Sequence, residues 1–170
     1  MLEPKKIMIF GRPGSGKSTF ALKLGKMLNL PVEHLDRYFF IENWVERDYS
    51  DFLQIQENLL KKESWIIDGN SCRSLEKRFS KADVALYFHM SRFLCLWRIF
   101  KRLFVKREIL DRAEGCSEQV RFRLIRYLWT FDKRVKIPIQ QLREKYPKVQ
   151  FHEFRREKDV ERFFKGLKEC

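Results

Sequence analysis

The stretch Gly11-Arg12-Pro13-Gly14-Ser15-Gly16-Lys17-Ser18 decides the fold of this 170-residue chain. It follows an apolar run, residues 7–10, and precedes an amphipathic segment. The pattern G-x-x-x-x-G-K-[ST] is typical of a loop whose glycines turn backbone N–H groups toward phosphates, while the lysine reaches their outer oxygens and the Ser/Thr hydroxyl binds Mg²⁺. Between a strand and a helix, such a loop holds phosphate at a helix N-terminus, where unpaired N–H groups and the dipole favour anions. We therefore predict that this stretch and Thr19 bind the phosphates of ATP, with Ser18 as a Mg²⁺ ligand.

Length and composition indicate one soluble domain. At 170 residues and 20.8 kDa the chain can bury one core but is short for two domains, so we expect a single domain over 1–170 with a lid-like insertion at about 105–118. No segment is long and apolar enough to span a bilayer and the first residues do not resemble a signal peptide, which predicts a cytoplasmic protein without a membrane partner. The four cysteines lack C-x-x-C spacing, so they indicate neither a zinc site nor a disulfide framework.

The chain is strongly basic, with 36 Lys and Arg against 23 Asp and Glu and a formal net charge of +13. This charge is compatible with a polyanionic partner such as nucleic acid. It is also expected of an enzyme that gathers arginine around several phosphates, and of basic helix faces that meet only solvent. The charge alone leaves these alternatives open.

Strand-like and helical segments alternate along the chain. The apolar runs that predict strands are residues 6–10, 32–35, 64–70, 82–89 and 149–154. Their alternation with amphipathic segments predicts an α/β three-layer sandwich with a mostly parallel five-stranded sheet, of the P-loop nucleoside triphosphate hydrolase or nucleoside-kinase type, with a helical lid. Pro138 is expected to kink or end part of a helix over residues 118–143.

Two acids follow apolar strands and are expected to face the loop. Asp68 ends one run about fifty residues after Lys17, where P-loop proteins place an acid that contacts Mg²⁺ directly or through water; a helix-capping aspartate is the alternative. Asp36 ends another run and would orient or deprotonate an attacking hydroxyl, with an N-cap as its alternative. Because the carboxyl ends of parallel strands share one edge of a sheet, both acids are predicted to lie near Lys17, which we expect to take part in catalysis.

A transferring phosphoryl group also needs positive charge around it. The candidates are Arg92, at the start of the helix after the fourth strand, and Arg107 and Arg112, around an interruption of the following helical pattern. Each alone is better explained as a surface charge. As a group, we expect at least one of them to contact phosphate.

Several ordered motifs resemble one family over nearly the whole chain. They are GRPGSGKST, HLD, WIIDGN, residues 91–98 (SRFLCLWR) and residues 113–116 (AEGC). Together they resemble the bacterial proteins labelled DNA topology modulation protein, or FlaR-like, within the adenylate-kinase-like group of P-loop kinases. The resemblance implies Mg-ATP on the loop and an acceptor near Asp36. Where adenylate kinases carry D-G-F-P-R, this chain has Asp68-Gly69-Asn70 without a following proline and with Arg73 one residue late, so recognition of AMP is not implied.

The same resemblance implies that the loop after the last strand, with Arg155 and Arg156, covers the adenine of ATP, since a guanidinium can stack on a purine. A solvated pair of arginines before a helix is the alternative.

We therefore expect an ATP- and Mg²⁺-dependent phosphotransferase for a small-molecule acceptor. Two other functions remain open at this point: a DNA-associated ATP-binding protein that influences DNA topology, and an ATPase that acts on a protein partner. The sequence indicates neither the acceptor nor the oligomeric state.

Overall fold

The computed structural model describes residues 4–104 and 122–168. Its elements are, in chain order, β1 (Lys6–Gly11), α1 (Lys17–Leu28), β2 (Val32–His34), α2 (Leu35–Phe39), α3 (Tyr49–Leu60), β3 (Trp65–Asp68), α4 (Leu75–Phe79), β4 (Val84–Phe88), α5 (Arg92–Arg102), α6 (Phe122–Lys145), β5 (Gln150–Phe154) and α7 (Glu157–Lys168). Short 3-10 turns at Glu42–Trp44 and Cys72–Ser74 precede α3 and α4. The lid-like insertion predicted at about 105–118 lies outside the described residues.

The strands form a five-stranded sheet in the order β2-β3-β1-β4-β5, and every neighbouring pair is parallel. This confirms the predicted α/β architecture. The register places Asp68 of β3 opposite Ile9 of β1 on one side and opposite His34 of β2 on the other. The ends of these three strands therefore meet at one edge of the sheet, where the phosphate loop leaves β1.

Alternate residues of the strands point to two hydrophobic clusters, one on each face of the sheet. Met8 and Phe10 of β1 belong to the cluster that α3, α4 and α6 cover. Ile7 and Ile9 belong to the opposite cluster, which is covered mainly by α1, α5 and α7. Apolar runs buried on both faces are typical of parallel strands. The three layers follow directly from this pattern.

Two helix boundaries differ from expectation. The helix predicted from residue 52 begins at Tyr49, because the side chain of Asp48 accepts hydrogen bonds from Ser50 N at 2.8 Å and Asp51 N at 3.3 Å and so caps its first turn. Helix α6 does not end at Pro138. Apolar residues on both sides of the proline are buried against the sheet, from Phe131 to Leu142, and this packing holds the helix continuous despite one missing N–H donor.

No helix among residues 4–104 and 122–168 is long and apolar enough to cross a lipid bilayer.

Two helical glycines give a matched test of the packing between α1 and β2. A Cβ added to Gly25 would lie 2.4 Å from Val32 Cγ2 and 3.0 Å from Leu30 O, whereas a Cβ at Gly166 of α7 meets nothing within 4 Å. We expect Gly25→Ala to lower the free energy of unfolding by about 1–3 kcal/mol, because overpacking exceeds the helix-propensity gain of about 1 kcal/mol. Gly166→Ala should raise it by about 0.5–1 kcal/mol. Urea unfolding followed by circular dichroism measures both, and equal stability of the two variants would contradict this account.

Candidate functional site

The phosphate loop between β1 and α1 has the backbone conformation that its glycines predict. Gly14 and Gly16 have φ of +76° and +95°, in the left-handed region that other residues rarely adopt. A Cβ at Gly14 would also lie 2.5 Å from Cys95 O. Gly16 is the N-cap of α1, and no side chain caps the first-turn N–H groups of that helix. These N–H groups therefore remain available to an anion.

The loop is tied to the strands around it. Gly11 N donates to Asn70 Oδ1 at 2.9 Å, and Arg12 N donates to Phe88 O at 3.1 Å. The guanidinium of Arg12, 3% exposed, donates to Met90 O and to Asp132 of α6. The side chain of Arg12 thus ties the loop to the segment after β4 and to α6. Its contact with nucleotide stays a prediction.

Asp132 is a counter-ion for two guanidinium groups and also lies close to an imidazole. Besides Arg12, it lies 3.2 Å from Arg92 Nη2 at the start of α5 and 3.4 Å from His89 Nε2 after β4. The other imidazole nitrogen of His89 lies 2.8 Å from Glu153 Oε1. Although burial raises the pKa of Asp132, the hydrogen bond and charge of Arg12, together with Arg92, outweigh it and lower that pKa.

Lys17 begins α1 and is nearly buried, with 9% of its surface exposed. Its Nζ donates to Arg12 O at 3.1 Å, across the loop. Burial lowers the pKa of Lys17, and the negative charges of Asp68 and Asp36 oppose that effect. Both predicted acids therefore act electrostatically on the loop lysine.

Asp68, at the end of β3, is buried and partnered on one oxygen only. Its Oδ2 accepts a hydrogen bond from His34 Nδ1 at 3.0 Å, and its Oδ1 has no hydrogen-bond partner within the described part of the chain. Burial raises the pKa of Asp68, but the hydrogen bond from His34 and the charge of Lys17 outweigh burial and lower it. The sequence does not reveal this contact, because the position of His34 opposite Asp68 depends on the pairing of β2 with β3.

Asp36 was expected at the end of a strand and lies instead in the first turn of α2, because β2 ends at His34. The pairing of β2 with β3 ends at His34 and Asp68, so the strand stops before Leu35. Leu35 packs closely against the turn after β3, where a Cβ added to Gly69, with φ of +150°, would lie only 2.6 Å from Leu35 Cβ. Although Asp36 belongs to a helix, its charge still acts on Lys17. Its side chain is exposed, unlike that of Asp68.

The residues present fit a magnesium ion that is held mainly by phosphate. Within the described ranges, no three His, Cys, Asp or Glu side chains cluster as a metal site. Mg²⁺ commonly uses one or two carboxylates and completes its shell with substrate phosphates and water. The free Oδ1 of Asp68 suits that role, and Ser18 lies near enough to contribute to the lowered pKa of Asp68.

A cavity of about 770 Å³ opens beside the loop, between α1, α5 and α7. We call it the α5–α7 cavity. Its lining residues are Gly14, Ser15, Gly16, Thr19, Phe20, Lys23, Phe88, Met90, Trp97, Arg98, Lys101, Arg102, Glu157, Val160, Glu161, Phe164 and Lys165. A volume of this size is typical of a small-molecule site.

Two arginines of α5 that sequence reasoning did not single out reach this region. Arg98 Nη1 donates to Ser15 O in the loop at 3.0 Å, and its Nη2 pairs with Glu157 of α7. The charge of Arg102 contributes to lowering the pKa of Lys17. Their i, i+4 spacing places both on one helical face, and this was the available sequence signal.

The arginines that were singled out lie elsewhere or outside the described residues. Arg92 contacts Asp132 and lies 5.6 Å from the ring centre of Trp129.

The two arginines predicted to cover the adenine have acidic partners. Arg155 pairs with Glu153 at 2.9 Å, and Arg156 N donates to Asp159 at 2.9 Å. Neither Arg155 nor Arg156 lines the α5–α7 cavity. Arg107 and Arg112 fall in 105–121, outside the described residues.

On the opposite side of the loop, polar side chains surround the turn after β3. Tyr127 Oη of α6 donates to Asn70 O at 3.3 Å and lies 3.6 Å from Cys72 Sγ. Arg78 is completely buried and donates to Gly69 O at 2.9 Å and Ser71 O at 2.8 Å. Burial lowers the pKa of Arg78 to about 10, so it remains charged at neutral pH. Sequence reasoning missed both residues, because each contact depends on tertiary structure.

No protein-family model matches this chain, and neither does any curated protein sequence. Solved structures do match. Shikimate kinase from Acinetobacter baumannii in complex with shikimate has a TM-score of 0.60 and 13% identity, over 98% of this chain and 94% of that chain. Deoxyadenosine kinase from M. mycoides with the products dCMP and a flexible dCDP has a TM-score of 0.57 and 18% identity, over 97% of this chain and 100% of that chain. These likenesses show the P-loop kinase fold.

The role of Asp132 as a counter-ion is testable by unfolding. We expect Asp132→Asn to lower the free energy of unfolding by about 2–4 kcal/mol, because it leaves the buried guanidinium of Arg12 without an opposite charge. Glu57→Gln is the matched control: it breaks an exposed pair with Lys77 and should change little. Urea unfolding of the three proteins measures the difference, and similar losses in both variants would refute the assignment.

The lowered pKa of Asp132 sets the pH dependence of this effect. A carboxylate whose folded-state pKa is lowered stabilises the fold above its usual pKa of about 4, and loses that effect as pH falls through the folded-state value. The difference in stability between wild type and Asp132→Asn should therefore be largest above about pH 5 and shrink below about pH 4. A difference that grows on acidification would contradict the charge pairing.

Proposed function

We propose that this chain is an ATP-dependent kinase of the P-loop type that phosphorylates a small molecule. The observation that carries the proposal is the electrostatic grouping of Lys17, in a phosphate loop, with Asp36 and Asp68 from the ends of neighbouring elements. One cation that binds phosphate and two separate carboxylates supply the parts that phosphoryl transfer requires. The likeness to small-molecule kinases supports the reaction class.

The loop side would bind the donor. Lys17 and the open N–H groups of α1 are suited to the outer phosphates of ATP, and Ser18 with Asp68 to Mg²⁺. When bound, Mg-ATP supplies an electrophilic γ-phosphorus and neutralises part of the phosphate charge. Arg102, whose charge acts on Lys17, adds positive charge at this position.

The α5–α7 cavity would take the ribose and base of ATP. It borders the phosphate loop directly, and Trp97, which is 58% exposed, offers an apolar ring surface there. Glu157 also lines the cavity, directly after Arg155 and Arg156, the residues predicted to cover the adenine. These two arginines remain candidates for the outer edge of the base site.

The two carboxylates would have different roles, Asp68 as a metal ligand and Asp36 toward the acceptor. The lowered pKa of Asp68 makes it a weak base, and its hydrogen bond from His34 fixes its orientation, so it suits the metal. Asp36 is exposed and, like Asp68, its charge acts on Lys17, so it suits the acceptor. Its carboxylate would orient the attacking hydroxyl and accept its proton as the oxygen–phosphorus bond forms.

Nothing in the comparisons supports a nucleic-acid partner, and the FlaR-like resemblance rests on the sequence motifs alone. The DNA-associated function and the ATPase acting on a protein partner are therefore not proposed. The basic charge is accounted for in part by the arginines and lysines around the loop and the cavity.

Lysine substitution tests the donor site. Lys17→Ala should abolish detectable binding of a nonhydrolysable ATP analogue with Mg²⁺, because the outer phosphates lose the loop lysine that reaches them. Lys81→Ala removes the same charge from the opposite edge of the sheet and should bind as wild type does. Isothermal titration calorimetry measures both. Absence of binding to the wild-type protein would refute the proposed function at its first step.

Substitution of the two acids separates their roles. Asp36→Asn should retain Mg-nucleotide binding within about twofold but lower kcat by about 10²-fold or more, because general-base catalysis is lost. Asp68→Asn should weaken the Mg²⁺ dependence of nucleotide binding. Calorimetry with and without Mg²⁺ and turnover with an identified acceptor measure these effects. If Asp36→Asn removed Mg²⁺ dependence and Asp68→Asn left it intact, the assignments would be reversed.

A further inference from the structure

Two exposed arginines lie over tyrosine rings on the side of the loop opposite the α5–α7 cavity. The guanidinium of Arg73, in the turn before α4, lies 5.3 Å from the ring centre of Tyr49, at the start of α3. The guanidinium of Arg134, on α6, lies 5.5 Å from the ring centre of Tyr127. Stacking on an aromatic face holds an arginine in place while its N–H groups stay free to donate.

Contacts of Tyr127 place these arginines on the side of the proposed acceptor. Its Oη lies 3.6 Å from the thiol of Cys72, the residue before Arg73. Burial raises the pKa of Tyr127, and the nearby charge of Asp36 raises it further. Arg134 stacks on Tyr127, and Arg73 directly follows Cys72, which contacts the same tyrosine. The charge of the proposed acceptor-binding carboxylate also acts on Tyr127.

These two arginines lack the carboxylate partner that four other arginines near the site have. Arg12, Arg92, Arg98 and Arg155 each pair with an acid. Across residues 4–104 and 122–168, no carboxylate forms an ion pair with Arg73 or Arg134.

Beneath the same turn, Arg78 adds a buried positive charge that is satisfied by backbone carbonyls. Its Nε has no hydrogen-bond partner among the described residues. Positive charge close to a low-dielectric interior strengthens the attraction for an anion at the surface above it.

We propose that Arg73 and Arg134 bind an anionic group of the acceptor, a carboxylate or a phosphate monoester, while the hydroxyl that is phosphorylated faces Asp36. This inference rests on the proposed kinase function and narrows its substrate class. A planar guanidinium matches both oxyanions through paired N–H donors. Neutral nucleosides would leave both arginines without a partner, so anionic acceptors are preferred over them.

The thiol of Cys72 is a reporter for this site, since it is exposed and adjacent to Arg73, while Cys95 is buried. In a background with Cys116 and Cys170 replaced by serine, the thiol is reacted with a dianionic aromatic disulfide, 5,5′-dithiobis(2-nitrobenzoate), and with neutral 4,4′-dithiodipyridine. The ratio of the two rates cancels any change in the thiolate fraction. Arg73→Gln and Arg134→Gln should each lower the ratio at least about threefold, because the local attraction for an anion falls.

The matched control is Arg162→Gln, which removes the same charge from exposed α7 and should leave the ratio unchanged. Equal ratios in all three variants would overturn the proposal, because the preference would then reflect net charge alone. Thermal unfolding of each variant checks that the fold is retained.

Competition identifies the oxyanion. Inorganic phosphate and acetate are added at constant ionic strength, and each is tested for slowing of the dianionic reagent in wild type and in Arg73→Gln. Slowing by phosphate alone supports a phosphate monoester, and slowing by acetate supports a carboxylate; both effects should vanish in the variant. If neither anion slows the reaction, the arginines do not form a binding site. Mg-nucleotide binding, measured separately by calorimetry, should persist in both arginine variants, so failure of this inference is distinguishable from failure of the kinase proposal.

Discussion

The rest of the site depends on the burial of the Lys17 ammonium beside carboxylates. Removing a cation from water costs free energy unless an opposite charge lies close to it. The strand order meets this requirement: β3 pairs directly with β1, so the chain leaves β3 at Asp68 next to the strand that leads into the loop. Strand β2 then brings His34 against Asp68 and starts the helix that carries Asp36. Another strand order would leave the lysine without its counter-charges.

A second constraint is that the loop conformation is fixed by side chains from distant parts of the chain. Asn70 holds its first residue, Asp132 holds Arg12, and Arg98 donates to the carbonyl of Ser15. These contacts come from the turn after β3, from α6 and from α5. Because these contacts come from the protein itself, they reduce the conformational entropy that the loop would lose on binding a ligand. Through the same contacts, α5 and α6 can influence the loop conformation.

The parts of the molecule predictable from sequence are those coded by local pattern. The phosphate loop, the alternation of strands and helices and the position of Asp68 all followed from short motifs and apolar periodicity. The helical placement of Asp36 did not, because the end of β2 at His34 depends on where its pairing with β3 ends. Arg78 and Asp132 were missed for the same reason: each looks like a surface charge until the partners from other elements are known. Tertiary packing also overrode the local signal for helix termination at Pro138.

The ion pair between Arg98 and Glu157 makes the last helix a participant in ligand exchange. Both residues line the α5–α7 cavity, and Arg98 also donates to the loop, so a molecule that enters between them competes with Glu157 for the guanidinium. A change that separates α7 from α5 makes binding of a molecule in the cavity more favourable. By thermodynamic reciprocity, a molecule bound in the cavity favours the separation of α7 from α5 by the same free energy. The affinity for that occupant therefore depends in part on how α7 packs against α5.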